Sequence, residues 1–268
     1  MTSRALQRGF SLVEMMVALI VGLFVLAGVG SVYITGKRSY NARDGLSLLQ
    51  ENGRIAIRMI EQTVQRAGYP MYAEVEPVIH SAQQIGSMQL GENTSVDDVA
   101  DLGLEVSGDG IEKGASDTLT VAYQPVPGSA WEAGEDCVGN RTQLKDLVVS
   151  RFFVDKGVLK CHGSGKRTAE PLVDNVVAMQ VEYGVDESGD GFADRYAALP
   201  AVSDWGKVVS IRVALLVSSG EDVLDQGVGE PQTFLLAGEE FVIEDTSDRK
   251  LYRVFTTTIP LRNRMPIF

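Results

Sequence analysis

The sequence has few of the side chains on which catalysis and metal binding most often depend. Its 268 residues include two histidines, His80 and His162, and two cysteines, Cys137 and Cys161. A zinc centre needs more Cys or His ligands than these. His162 follows Cys161 directly, and adjacent strand residues point to opposite faces, so the two do not predict a Cys–His couple. Walker, GxGxxG, GxSxG and HExxH motifs are absent as well. We therefore predict that the protein is not an enzyme.

Charge is almost missing from the first part of the chain. Between Phe10 and Gly36 there are 27 residues and a single charged side chain, Glu14. As a helix this stretch would be roughly 40 Å long, enough to cross a hydrocarbon core of ~30 Å. A secretory signal has a shorter apolar region and a small-residue cleavage site after it, whereas Gly9 lies before this one. The pattern predicts a leader, residues 1–9, that is removed on its cytoplasmic side, and a retained membrane helix, residues 10–36.

The residues around that boundary carry a resemblance. Gly9-Phe10-Ser11-Leu12-Val13-Glu14 resembles the class III signal of type IV prepilins and pseudopilins. The resemblance implies that a prepilin peptidase cleaves after Gly9 and methylates the new N-terminus at Phe10. It also implies that Glu14, the fifth mature residue, acts in assembly.

The chemistry of Glu14 agrees with that role. An ionised carboxylate among apolar side chains costs several kcal/mol unless it is paired. Cleavage creates a cationic amine on Phe10, and in a helical filament Glu14 of one subunit would neutralise the amine of its neighbour. The alternative is a simple membrane anchor with a Glu near the interface.

The helical pattern continues beyond the membrane helix, through residues 37–68. Apolar side chains at three- or four-residue spacing predict one buried stripe. These are Leu49, Ala56, Ile60, Val64 and Ala67. Gly68 suits a left-handed cap and Pro70 forbids continuation, so the helix is expected to end there.

Residues 69–268 are predicted to form a β-rich head domain outside the cytoplasm. They hold 16 basic and 32 acidic side chains, which is unlike a nucleic-acid-binding surface. Residues 70–116 are expected to form a long connection. Dense β-branched content and alternation predict strands after it, with 234–243 a weaker candidate. The predicted strands are 118–126, 147–154, 158–161, 176–183, 207–218 and 251–261. The absence of a regular βαβ alternation predicts an antiparallel α+β fold.

Several short segments of the head resemble the PilW group of minor pilins. They are Asp136–Asn140, Arg151–Val154, Val181–Asp186, Arg253–Ile259 and Arg262–Arg264. The resemblance implies the type IV pilin fold, in which an N-terminal helix lies against an antiparallel sheet. It also implies a subunit that primes pilus assembly and sits with other minor pilins at the filament tip.

The expected partners follow from this resemblance. They are other minor pilins, the major pilin, the prepilin peptidase, the inner-membrane assembly platform and a possible tip adhesin, with no nucleic acid. The protein would lie in the inner membrane with a periplasmic head, and after assembly in the pilus at the cell surface. A minor pseudopilin of a type II secretion system is the alternative, and an anchored periplasmic binding domain is a third interpretation.

Two further features of the head concern its stability and ligands. Cys137 and Cys161 are expected to form a disulfide in an oxidising compartment. In the chain-entropy model it would stabilise the fold by roughly 3–4 kcal/mol.

The head also contains a candidate metal-binding loop. Its oxygen ligands follow the first part of a calcium loop. They are Asp186, Ser188, Asp190, Phe192 (its carbonyl) and Asp194. The Glu expected at its twelfth position is missing, because Ala197 stands there. A solvated acidic turn is the alternative. We therefore expect no required cofactor, with Ca²⁺ as a possible ligand.

Overall fold

The structure, a computed structural model, describes residues 11–68, 116–123, 125, 134–140, 148–164 and 168–263. Gly9, Phe10 and most of the predicted 70–116 connection lie outside the described residues. The chain divides into two units, Met1–Asp44 and Gly45–Phe268, which we call the N-terminal and C-terminal units.

A single helix, α1 (Leu12–Val64), begins the described chain. Its first half exposes large apolar side chains, including Leu12 (75% exposed) and Phe24 (74% exposed). This part of α1 is long and apolar enough to cross a membrane. Exposed apolar surface on this scale is typical of a segment that is covered by lipid or by other protein chains.

The second half of α1 buries one face within the C-terminal unit. Leu49, Ala56, Ile60 and Val64, with Ala67 just beyond the helix, are at most 1% exposed. The predicted apolar stripe is therefore confirmed.

The C-terminal end of α1 is closed by contacts from distant parts of the chain. Gly68 has a φ of 75°, the left-handed conformation predicted for a glycine cap. The side-chain amide of Asn263 donates to the carbonyls of Gln65 (3.1 Å) and Ala67 (3.3 Å). The Gly68 N–H donates to the Ala122 carbonyl at 2.8 Å. The two bonds from Asn263 satisfy carbonyls that the C-terminal end of a helix leaves without partners.

Ten strands follow α1 in the described residues. In chain order they are β1 (Leu119–Tyr123), β2 (Val148–Asp155), β3 (Val158–Gly163), β4 (Glu170–Asp174), β5 (Val176–Val185), β6 (Arg195–Ala197), β7 (Val208–Ser218), β8 (Gln232–Leu236), β9 (Glu239–Ile243) and β10 (Tyr252–Pro260). Two short 3-10 helices, Leu199–Ala201 and Trp205–Lys207, precede β7. One antiparallel sheet has the order β1-β2-β3-β4, the second β10-β7-β5-β6, and β8-β9 form a separate hairpin.

The six main strand predictions are confirmed, with boundaries shifted by a few residues. The predicted β2–β3 hairpin turns at Lys156 and Gly157, which both have positive φ (52° and 77°), as a two-residue turn requires. Two short strands were not predicted: β4 contains Pro171, and β6 has three residues. The weaker candidate at 234–243 is a hairpin rather than one strand, because Ala237 and Gly238 have positive φ and turn the chain.

Both four-stranded sheets contribute to one main core with the α1 stripe. Fully buried members include Phe152, Leu159, Met179 and Ile211. A smaller cluster lies between the other face of the second sheet and the β8–β9 hairpin, around Leu216 and Leu236. Strands β5 and β7 are therefore buried on both faces, which explains their near-continuous apolar sequence.

Glycine at position 53 lets α1 approach β10. A Cβ built on Gly53 would lie 2.3 Å from the Phe255 ring. The ring belongs to the partly buried side chains of the main core, so a larger residue here would push the helix and the strand apart.

We predict that Gly53→Ala destabilises the protein. Overpacking costs about 1–3 kcal/mol, while alanine gains only about 1 kcal/mol over glycine in a helix. A lower melting temperature of the full-length chain in detergent would show this. Gly36→Ala is the matched control, because its added Cβ meets nothing within 4 Å, and it should not lower the melting temperature. Equal melting temperatures for the two variants would contradict the prediction.

Candidate functional site

Glu14 lies in the first turn of α1 and caps it. The Glu14 Oε2 accepts a hydrogen bond from the Ser11 backbone N–H at 3.0 Å. The Ser11 Oγ accepts one from the Val13 N–H at 3.3 Å. Ser-x-x-Glu is the pattern of a capping box, and a negative charge here also complements the helix dipole. This capping role of Glu14 was not predicted, although the Ser-x-x-Glu pattern is present in the sequence.

The cap leaves part of the Glu14 carboxylate available. The side chain is exposed, and its second oxygen makes no hydrogen bond within the described residues. An ionised carboxylate accepts up to about four hydrogen bonds. Glu14 can therefore hold the helix start and accept a bond from a cation on another chain.

A disulfide joins Cys137 to Cys161, with their Cα atoms 6.3 Å apart. Cys161 lies on β3 and is fully buried. Cys137 lies in a turn that is built around the Asp136 carboxylate. The backbone N–H groups of Val138 (3.0 Å) and Asn140 (2.9 Å) both donate to Asp136 Oδ1. Neither the turn nor the role of Asp136 was predicted.

Gly163 on β3 lets the cysteine turn lie against the sheet. A Cβ on Gly163 would come within 2.1 Å of Asp136 Oδ2. The Cys137 N–H donates to the Ser150 Oγ at 3.1 Å, which ties the turn to β2 as well. The disulfide therefore closes a turn that hydrogen bonds already hold in place.

The predicted calcium loop connects β5 to β6 and is folded around two aspartates. Asp186 is 2% exposed. Its Oδ1 accepts from the Gly189 N–H at 2.6 Å, and its Oδ2 accepts from the Gly191 N–H at 2.8 Å. Burial raises the pKa of Asp186, but backbone N–H donors and a hydroxyl of the loop outweigh burial, and the net pKa is lowered.

Asp194 closes the same loop from its other end. Its Oδ2 accepts from the N–H groups of Glu187 (2.7 Å) and Ser188 (2.9 Å). These bonds hold the pKa of Asp194 below its usual value. Arg195 pairs with Glu187 at 2.6 Å across the loop.

The acidic loop is thus held by its own hydrogen bonds. Asp186, Ser188 and Asp194 come together around the backbone, while Asp190 Oδ1 accepts only from the Phe192 N–H at 2.9 Å. Within the described residues, no group of three or more His, Cys, Asp or Glu side chains is placed to hold a metal ion. The geometry favours the acidic turn, which the sequence left as the alternative to a calcium site.

Two family models match the chain at the regions just described. The model for the prokaryotic N-terminal methylation motif matches residues 4–30, which include Gly9, Phe10 and Glu14. The model for the type IV pilus-assembly protein W matches residues 146–263, from β2 to the Asn263 cap. The two matches support a type IV minor pilin of the PilW family.

Comparison with other proteins adds distant similarities. No curated protein matches the sequence. Among solved structures, a type IV-like pilin from Thermus thermophilus is 14% identical, with a TM-score of 0.35, over 59% of this chain and 82% of that one. A chain of the GspK-GspI-GspJ complex from the enterotoxigenic Escherichia coli type 2 secretion system is 11% identical, with a TM-score of 0.31, over 79% of this chain and 96% of that one.

The matches support a minor pilin in pilus or secretion-system assembly. Pilin families are generally structural rather than enzymatic. The long apolar helix and the antiparallel sheets agree with the predicted fold. The cleavage site at Gly9 and Phe10 lies outside the described residues and stays a prediction.

The pKa values of Asp186 and Asp194 predict an acid-sensitive head. Both are lowered from the usual aspartate value of 3.8. A group with a lowered native pKa contributes stability above its unfolded pKa, and this contribution is lost as pH falls through the native pKa. We therefore expect the melting temperature of the full-length chain to fall below about pH 4.

Asp194→Asn isolates the contribution of the loop. Without the titrating carboxylate, the melting temperature should be lower at neutral pH and should fall less steeply in acid. Asp174→Asn removes an exposed carboxylate outside the loop and is the matched control. The same acid slope in Asp194→Asn as in the native chain would contradict the prediction.

Proposed function

We propose that this minor pilin primes the assembly of a type IV pilus and is then incorporated into it, at or near the tip. The observation that carries the proposal is the first half of α1, an exposed apolar helix with one carboxylate in its first turn. A helix of this kind suits storage in a membrane followed by transfer to an equally apolar filament core. The transfer is feasible because neither environment requires the apolar side chains to face water.

Processing would precede assembly in this proposal. The prepilin peptidase would cleave between Gly9 and Phe10 and methylate the Phe10 amine. This leaves a cation four residues before Glu14, at the start of α1. The N-terminal methylation motif at residues 4–30 supports this step.

Glu14 would then select the position of the incoming subunit. Its carboxylate would pair with the Phe10 amine of a neighbouring pilin in the apolar core, where an unpaired charge costs several kcal/mol. A subunit in the wrong register would leave both charges unpaired. The capping bond to Ser11 fixes the carboxylate on the helix and so reduces the entropy lost on pairing.

The partners and location follow from this role. The protein would wait in the inner membrane with its C-terminal unit in the periplasm, where Cys137 and Cys161 form their disulfide. The assembly platform would then add it to other minor pilins and the major pilin, with a tip adhesin as a possible further partner. After assembly it would lie in the pilus at the cell surface.

Two substitutions of Glu14 separate its charge from its capping role. Glu14→Gln keeps an oxygen that can accept the Ser11 N–H but removes the charge, while Glu14→Ala removes both. We predict that both variants are processed normally and that both lose incorporation into pili and co-purification with other minor pilins. The measurements are intact mass of the mature chain, counts of surface pili and pull-down.

Ser11→Ala is the matched control, because it weakens the cap and leaves the charge of Glu14 in place. It should assemble at nearly the native level. Loss of assembly in Ser11→Ala with retention in Glu14→Gln would mean that capping, and not charge, is the function of Glu14. An intact mass that includes residues 1–9 and lacks the methyl group would contradict the whole proposal.

Calcium binding by the acidic loop is testable on the same protein. Because Asp186 and Asp194 already accept backbone N–H bonds, we expect the melting temperature to be the same in Ca²⁺ and in EDTA. A calcium-dependent rise that Asp190→Asn abolishes would contradict this and establish the metal site. Saturation at about 100 times the dissociation constant would add about 2.7 kcal/mol, which a thermal melt detects.

A further inference from the structure

Two tyrosines and two cations follow one another along α1 where its apolar run ends. They are Tyr33, Lys37, Tyr40 and Arg43, at spacings of four, three and three residues. Residues at these spacings are neighbours on the surface of a helix, so the four side chains lie along one side of α1. We call these four residues the belt. It lies within the N-terminal unit, which ends at Asp44.

The position of the belt along α1 matches the edge of a membrane. From Leu12 to Tyr33 the helix rises about 32 Å, close to the ~30 Å of a hydrocarbon core. Lys37 and Tyr40 lie about 6 and 10 Å further on, which is the depth of the lipid headgroups. Arg43 lies about 15 Å beyond Tyr33. Helical side chains tilt toward the N-terminal end, so an arginine here is directed back toward the headgroups.

The side chains of the belt are open to their surroundings. Tyr33 is 71% exposed and Tyr40 is 69% exposed. Lys37 and Arg43 are exposed as well, and neither forms an ion pair within the described residues. Both cations are therefore available to an anion outside the chain.

The charge of this segment is not explained by membrane orientation. Residues 33–44 carry three basic side chains and one acidic side chain, Asp44. In the orientation proposed above they face the periplasm, whereas the Lys and Arg residues that set orientation lie on the cytoplasmic side. Residues 69–268, by contrast, hold 32 acidic and 16 basic side chains. An anionic surface would therefore attract the belt and repel the head.

Tyrosines and cations in this order suit the headgroup of an anionic phospholipid. Tyrosine combines an apolar ring with a polar hydroxyl and is enriched where hydrocarbon meets water. Lys and Arg donate charge-assisted hydrogen bonds to phosphate oxygens, and they gain affinity near an anionic leaflet. A zwitterionic headgroup also offers a phosphate, but its own cation cancels much of the field that attracts the belt.

We propose that the belt binds anionic phospholipid headgroups and so holds the subunit at a fixed depth in the membrane before assembly. Lys37 and Arg43 bind the headgroup phosphates, while the rings of Tyr33 and Tyr40 lie at the boundary of the hydrocarbon core. Incorporation into a filament then requires release of these lipids. The inference rests on the proposed function for the leaflet involved, because that function places the end of the span at the periplasmic surface.

Native mass spectrometry of the full-length chain tests the lipid preference. The chain is released from vesicles that contain equal amounts of phosphatidylglycerol and phosphatidylcholine, and the lipids that remain bound are counted. The native chain should retain more phosphatidylglycerol than phosphatidylcholine. Lys37→Gln with Arg43→Gln should lower the ratio of the two bound lipids about fivefold for each cation removed, the factor expected for a Lys or Arg near an anionic surface.

Arg54→Gln with Arg58→Gln is the matched control. It removes two exposed cations from the same helix, but within the C-terminal unit, and it should leave the lipid ratio unchanged. Inorganic phosphate in large excess separates a lipid site from a site for free anions. It should not displace the phosphatidylglycerol, because the two tyrosines place the site at the hydrocarbon boundary.

Four results would overturn the inference. They are equal retention of the two lipids by the native chain, a ratio that Lys37→Gln with Arg43→Gln does not change, the same loss of preference in the control, and displacement by inorganic phosphate. Equal retention by vesicles that hold this chain alone would mean that the belt serves another protein chain and not lipid.

Glu14→Ala separates this inference from the proposed function. The variant keeps the whole belt, so it should lose pili while its bound lipids stay the same as in the native chain. Normal piliation with Glu14→Ala would contradict the assembly role and leave the lipid site in place. Loss of pili with Glu14→Ala, together with no lipid preference in the native chain, would mean that only the belt is wrongly assigned.

Discussion

Burial of one face of α1 is the interaction on which the rest of the C-terminal unit depends. Both four-stranded sheets meet on the stripe from Leu49 to Ala67, so neither sheet has a complete core without the helix. Two glycines make the close approach possible, because Gly45 and Gly53 leave room for Val223 and Phe255. The bonds from Asn263 then fix the helix end to the segment that follows β10. The packing of α1 on the two sheets therefore fixes the position of the helix relative to both of them.

The remaining faces of α1 are available for other molecules. In the N-terminal unit its surface is apolar and exposed, which suits lipid or the helices of other pilins. In the C-terminal unit it carries Arg54 and Arg58 beside an apolar floor. The first half of α1 thus exposes apolar side chains, and the second half exposes two arginines.

The sites show how far local chemistry explains residues that stand out in a sequence. Glu14 is unusual because it is the single charge in an apolar stretch, yet it also completes a capping box with Ser11. Asp186 and Asp194 have the spacing of metal ligands, yet they accept the backbone N–H groups of their own loop. A carboxylate that accepts hydrogen bonds from nearby backbone N–H groups already has a structural role. A second role is compatible with these bonds but is not needed to explain the residue.

The sequence alone determined the elements whose signals are local. Apolar periodicity placed the α1 stripe, alternation placed six strands, and the Gly9–Glu14 motif by itself pointed to a pilin. Only the tertiary structure decided which distant residues meet: Asn263 with the end of α1, Asp136 with Gly163, and Phe255 with Gly53. Strand β4 was missed because Glu170, Pro171 and Asp174 give it a low strand propensity, and β6 because it has only three residues. Both strands form through pairing with their neighbours. Arg54 and Phe255 likewise become neighbours only when the sheet packs on the helix.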